Sequence, residues 1–315
     1  HTANLAHSSD KGTTWRFVDL GLTPGTSIVG LTFTDPKHAR AIARWVDGKG
    51  VDRIGILRSN DGGATWRMRP IAAASFKHLG QAFLSARTTF IVGREFDKRR
   101  RTWRTRLLRT SNDGASWKRT RIRCKFPFDF AAPDARHLWF LDSDTSKIWT
   151  SSNGGANWTV RTLPLSGTSG SAYEINELQA PRRRVAWVNV TRQQQPYNLV
   201  MRTTDGGKHW RKAATYPDYT ENGLEALSAR EVWLSVADSS QCDASSYVSH
   251  TVDGGRTWTR TFVGPRSLGV SDVGPDGTLY SFGRGMGRST DNGRHWTRLI
   301  PDGYEYWLGD VTPTD

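Results

Sequence analysis

The sequence predicts an all-β fold, a seven-bladed β-propeller, and three observations predict it. The phrase Ser/Thr-x-Asp/Asn-x-Gly-x-x-Trp occurs seven times in 315 residues, starting at positions 8, 59, 110, 151, 203, 251 and 289. Those starts lie 38 to 52 residues apart, the period of four-stranded blades that cannot bury their faces alone. Each copy also sits between two short strand-like runs, such as residues 54–58 and 67–69 around the second copy. Finally, residues 2–7 read as a third strand and residues 307–314 as a first strand. Pairing the two ends would close a ring and remove exposed sheet edges.

Each position of the phrase has a physical task. Asp10, Asp61, Asn112, Asn153, Asp205, Asp253 and Asp291 carry the side-chain oxygen that bonds nearby backbone N–H groups and holds a tight turn. The glycine supplies a positive-φ position. The closing tryptophan buries a large ring, and seven of the 14 tryptophans are used this way. These aspartates are therefore structural. A fainter repeat runs at the same spacing: Asp35-Pro36, Ala132-Pro133, Ala180-Pro181, Ser228-Ala229 and Gly274-Pro275. Each precedes an apolar stretch and reads as the turn between a first and a second strand. The arginines 182–184 fall in one such turn and read as solvated.

On these boxes the chain resembles the Asp-box (bacterial neuraminidase repeat) propellers, which include sialidases, xyloglucan-active hydrolases, sortilin-type receptors and photosystem II assembly-factor-like proteins. The resemblance covers essentially the whole chain. It implies that each box joins the third and fourth strands of a blade, on the face opposite the binding site. In size and arginine-rich character the assembly-factor-like single propellers are most similar. The resemblance identifies a fold and leaves activity to be argued from the site.

Composition narrows the rest. One propeller domain accounts for residues 1–315. No long apolar run suggests a membrane span, and mean hydropathy is −0.59. The chain begins at His1, so a leader is expected to have been removed, and the resemblance implies an extracytoplasmic, monomeric protein. Net charge is +14. Residues 1–125 hold 25 Lys and Arg against 9 Asp and Glu, whereas residues 126–315 hold 19 against 21. Arginine outnumbers lysine 34 to 10, which suits bidentate recognition of carboxylate, sulfate or phosphate. Cys124 and Cys242 are the two cysteines; a disulfide and two separate thiols both remain open. No metal or cofactor site is expected.

The second-to-third and fourth-to-first loops are the expected site carriers. The sharpest feature is residues 94–104, in which Arg94, Lys98, Arg99, Arg100, Arg101 and Arg104 surround Trp103. This is a compact anion patch with an aromatic platform, which Trp45, Arg53 and Lys125 extend. It predicts a non-catalytic module binding an acidic protein or an anionic polysaccharide; no nucleic-acid motif accompanies it. Loop tyrosines, Tyr216 and Tyr247 among them, form a second constellation able to stack on sugars. The alternative is a glycan-active enzyme, a glycoside hydrolase or polysaccharide lyase working in a central funnel. Its candidate groups are Tyr219, Glu221, Glu177, Glu174, Asp129 and Glu305.

Overall fold

The computed structural model describes residues 5–10, 13–71, 76–83, 87–97, 99–124, 127–142, 147–165, 173–192, 197–217, 220–238, 245–265, 269–274, 276–282 and 286–300. The chain forms two compact units, one up to residue 128 and one from residue 129. All the regular structure is β.

The first unit opens with a two-stranded pair, β1 (Leu5–His7) and β2 (Arg16–Val18). Two four-stranded antiparallel sheets follow. One contains β3 (Ser27–Phe33), β4 (Ala39–Val46), β5 (Asp52–Ser59) and β6 (Arg67–Pro70); the other contains β7 (Phe76–Phe83), β8 (Thr89–Asp97), β9 (Thr102–Thr110) and β10 (Lys118–Ile122). The second unit has four such sheets. They are β11 (Pro127–Ala131), β12 (Leu138–Asp142), β13 (Lys147–Ser151) and β14 (Thr159–Thr162); then β15 (Tyr173–Arg182), β16 (Val185–Arg192), β17 (Tyr197–Thr203) and β18 (Arg211–Pro217). The last two are β19 (Thr220–Ala226), β20 (Val232–Asp238), β21 (Ser245–Thr251) and β22 (Thr259–Pro265), followed by β23 (Gly269–Val273), β24 (Leu279–Phe282), β25 (Met286–Ser289) and β26 (Thr297–Ile300).

The expectation of seven blades is thereby corrected: the described residues form six four-stranded blades. The first box is flanked only by β1 and β2. The next strand, β3, pairs with β4, so it contributes nothing to the β1–β2 pair. Residues 307–314, expected to complete the first blade, lie outside the described residues. Elsewhere the strand assignments hold, with every box between third and fourth strands and every faint turn between first and second.

Each box is a small hydrogen-bonded cage. In the second copy Ser59 Oγ donates to Asp61 Oδ1 at 2.7 Å and accepts from Gly63 N at 2.8 Å, while Asp61 Oδ1 accepts from Thr65 N at 2.9 Å. The same bonds recur around Asn112, Asn153, Asp205, Asp253 and Asp291. The Thr65 hydroxyl, then the Thr65 N–H, hold the Asp61 carboxyl down at about 2. These aspartates are thus consumed by their own turns.

The box tryptophans seal seams between sheets. Trp117 packs on Ile42, Ile54 and Ile56 of the preceding sheet, Trp258 on Trp187 and Val200, and Trp296 on Trp233 and Val248. Trp66 packs against the cluster of Val18, Leu20, Ala41, Ala43 and Leu57, as does Leu5, which seats the short β1–β2 pair. The turn glycines permit this closeness. Gly255 has φ +79°, and a Cβ there would stand 2.7 Å from Ala213 Cβ. Gly255→Ala is therefore expected to cost about 2–3 kcal/mol through left-handed strain and displacement of that neighbour. Urea unfolding would check it, and an unchanged midpoint would contradict the packing described.

Candidate functional site

The β8–β9 hairpin carries the sequence-predicted patch, and an acidic residue shapes its tip. Asp97 Oδ1 accepts from the backbone N–H groups of Arg99 and Arg100, each at 3.1 Å, and Arg101 takes φ 50° to complete the turn. The Arg100 N–H is the largest influence lowering the Asp97 pKa, with the Arg104 charge assisting. Arg104 returns from β9 to lie 2.9 Å from Asp97 Oδ2. Deeper in the hairpin, Glu95 pairs with Arg106 at 3.1 Å and Arg119 at 3.2 Å. Arg94 sits over the Trp103 ring, 5.7 Å from its centroid, and Phe96 packs against the same ring at 5.3 Å.

This arrangement divides the basic residues into two groups. Arg104 is an internal strut, whereas Arg99, Arg100 and Arg101 are exposed with no acidic partner among the described residues. Arg121 and Arg123, which the sequence reading missed, join them. The charge of Arg104, followed by burial and by the charges of Arg106, Arg100 and Arg123, lowers the pKa of the Arg121 guanidinium. Crowded like charges raise the local positive potential of the surface. The signal was present in sequence as Arg119-x-Arg121-x-Arg123, which begins on the strand that pairs with β9 and ends just past it.

Trp45 and Arg53 belong to the β4–β5 hairpin, where they face each other in register. That tip repeats the same design: Asp47 Oδ1 accepts from the N–H groups of Lys49 and Val51, and Arg53 pairs with Asp47 at 2.8 Å. Arg53 is thus engaged, and Arg44 likewise pairs with Asp52 at 3.3 Å. Lys98, Lys125, Tyr219 and Glu305 lie outside the described residues, as does Cys242; Cys124 is buried. Nothing is described of the Glu174 and Glu221 side chains. Tyr216, expected to stack on ligands, is buried and donates its hydroxyl to Asn189 Oδ1. Arg260 caps the Tyr247 ring at 4.1 Å.

The remaining enzyme candidates, Asp129 and Glu177, join a row not apparent in sequence. Asp129, Glu177, Glu225 and Asp272 stand on the first strands of four successive sheets, β11, β15, β19 and β23. Asp129 Oδ2 accepts from Leu178 N at 2.7 Å, and Glu177 Oε2 accepts from Leu224 N at 2.9 Å. Asp129 and Glu177 therefore each tie their own strand to the next sheet. Burial, with lesser help from the Asp129 charge, pushes Glu177 up to about 7. Burial, then the charges of Asp272 and Glu177, pushes Glu225 up to about 8. Among the described residues no group of acidic, His or Cys side chains is arranged to hold a metal ion.

Four-stranded meanders with an Asp box between third and fourth strands define a β-propeller of the Asp-box type. Solved structures of that fold are similar to this chain. YCF48 from Cyanidioschyzon merolae aligns with a TM-score of 0.61 at 18% identity, over 90% of this chain and 89% of that one. A structure of YCF48 bound to a D1 peptide aligns with a TM-score of 0.56 at 17% identity, over 87% and 83% of the two chains. The GH74 xyloglucanase from Xanthomonas campestris aligns at 0.58 and 16% identity, over 94% of this chain but 46% of the enzyme. In sequence, the chain is 24% identical over 194 residues to the chloroplastic photosystem II stability/assembly factor HCF136 of Arabidopsis thaliana. That match takes in 56% of this chain and 44% of the relative's length. No protein-family model matches the chain.

Proposed function

We propose that this chain is a non-catalytic, extracytoplasmic binding module that docks an acidic polypeptide segment through the β8–β9 hairpin. The observation that carries this reading is the separation of charges in that hairpin. Asp97 pairs with Arg104, and Glu95 with Arg106 and Arg119, which holds the scaffold and leaves Arg99, Arg100, Arg101, Arg121 and Arg123 exposed. A propeller of like fold has been solved with a peptide bound, which supports a polypeptide over a glycan. The row of raised carboxyl groups does not favour the hydrolase alternative, because Asp129 and Glu177 are bonded to neighbouring backbone and serve as ties.

Replacing Arg99, Arg100 and Arg101 together by Gln is expected to weaken binding of a fluorescein-labelled hexaglutamate peptide at least about tenfold at low ionic strength. It should also flatten the salt dependence, since fewer screened charges contribute. Anisotropy titrations at about 20 mM and 300 mM salt, spanning the Debye-length change, read both effects. Equal affinity of variant and parent at low salt would refute the hairpin as the docking surface, and tighter binding of polygalacturonate than of the peptide would refute the choice of partner.

A further inference from the structure

A second cationic feature lies in the unit that carries no excess of basic residues. At the box end of its sheets, the β11–β12 turn and the β15–β16 turn flank a groove of about 670 Å³ lined by Asp134, Ala135, Arg136, His137, Ser152 and Arg183. The groove is built. Gly154 N donates to Arg136 O at 2.8 Å and Gly206 N donates to Arg184 O at 2.9 Å, so each turn is fastened to the Asp box beside it. The one carboxyl group in the lining is already occupied. Asp134 Oδ1 accepts from the N–H groups of Arg136 and His137 at 2.8 Å, and His137 Nδ1 lies 2.8 Å from Oδ2. Arg136 and Arg183 are exposed and have no acidic partner among the described residues. Ser152, also exposed, adds a hydroxyl donor to the wall.

Two arginines from turns of adjacent sheets and a serine hydroxyl line one groove, and the carboxyl group beside them is bonded within its own turn, a set able to receive a doubly charged oxyanion. We propose that this groove binds a phosphate or sulfate group, held between Arg136 and Arg183, with room beside it for the body of an ester. Guanidinium forks match tetrahedral oxyanions bidentately, which solvated lysines would not. Arg183, which reads as solvated in sequence, acquires this role because the fold brings it into the same groove lining as Arg136.

The test uses the full chain at low ionic strength, titrated by calorimetry with inorganic phosphate, inorganic sulfate and a sulfated disaccharide. Saturable binding of at least one probe is expected, weakened about tenfold or more by Arg136→Gln and by Arg183→Gln. Arg230→Gln, the same charge change at the equivalent turn of the next sheet, where the guanidinium donates to Val252 O, should leave binding unchanged. Unaltered melting of the three variants would show that folding is intact. Tighter binding of the disaccharide than of the free ions supports an ester ligand, and equal affinities support a free oxyanion. No saturable binding, or an equal loss in Arg230→Gln, would overturn the proposal. The hairpin variants of the previous subsection leave this site intact, so the two readings fail separately.

Discussion

Replacing Asp113 by Asn is expected to lower the stability of the first unit by about 3 kcal/mol, the loss seen when one partner of a buried ion pair is removed. Arg40 is 2% exposed, and its Nε donates to Asp113 Oδ1 at 3.0 Å; Arg58 Nη1 donates to Asp113 Oδ2 at 2.6 Å. Burial is the largest influence on Arg40 and lowers its pKa, opposed by the Asp113 charge. Without that carboxylate, Arg40 loses its ion-pair partner, while the neutral acceptors Ala39 O, Ser59 O and Asn60 Oδ1 remain. Asparagine is the informative substitution, because Asn292 holds the same box position at φ 60°, against 57° for Asp113. Backbone strain is thus left unchanged, and what is removed is the charge together with one of the two acceptor oxygens used by Arg40 and Arg58. The double variant Arg40→Met with Asp113→Asn is expected to regain stability relative to Asp113→Asn, since a buried pair is often replaceable by apolar side chains. Urea midpoints measure both, and an Asp113→Asn midpoint equal to that of the parent would refute the account.

Between pH 5 and pH 9 the second unit is expected to lose on the order of 6 kcal/mol, at about 1.4 kcal/mol per pKa unit. In the unfolded chain Glu177 and Glu225 titrate at their ordinary value of 4.5, whereas in the fold they are raised to about 7 and about 8. Over that window the native state binds more protons than the unfolded state. Stability is therefore complete below about pH 4.5 and falls as pH rises through 8. The groups that face this pair are themselves acidic, Asp129 beside Glu177 and Asp272 beside Glu225. The box aspartates have the opposite sign: Asp10 and Asp61 are lowered to about 2, so their support fades only in acid. Glu225→Gln removes one proton-binding site and should flatten the alkaline part of the curve. Thermal melts across this range read the effect; a parent curve flat from pH 5 to 9 would dismiss the buried row as a source of pH dependence.

Much of this architecture is legible from local chemistry. A box such as Ser59-Asn60-Asp61-Gly62-Gly63 closes on itself through bonds spanning two to four residues, so its geometry is encoded wherever the phrase occurs. The hairpin tip at Asp97 is similar, because an aspartate bonding the N–H groups two and three residues ahead is a local turn device. Blade number was not legible in the same way. Counting boxes counts third-to-fourth turns, and the first box has only β1 and β2 around it.

The site shows the same division. The basic character of residues 94–104 is plain in the string, but which cations are available depended on pairing across β8, β9 and β10. Glu95 is consumed by Arg106 and Arg119, and Arg104 by Asp97. Asp129 and Glu177 each stand three residues ahead of a turn, at Ala132 and Ala180, and Glu225 stands likewise ahead of Ser228. That spacing was visible, yet it carried no meaning until neighbouring first strands were laid side by side.

The sequence by itself determined the repeating turns, the all-β class and the regions of excess charge, because each rests on contacts within a few residues. Only the tertiary structure decided the number of complete sheets, the union of Arg40 with Asp113 across 73 residues, and the environment that keeps protons on Glu177 and Glu225. The physical reason is that burial and Coulomb interactions act between side chains close in space. Their strength is set by which strands the fold makes neighbours, whatever their separation along the chain.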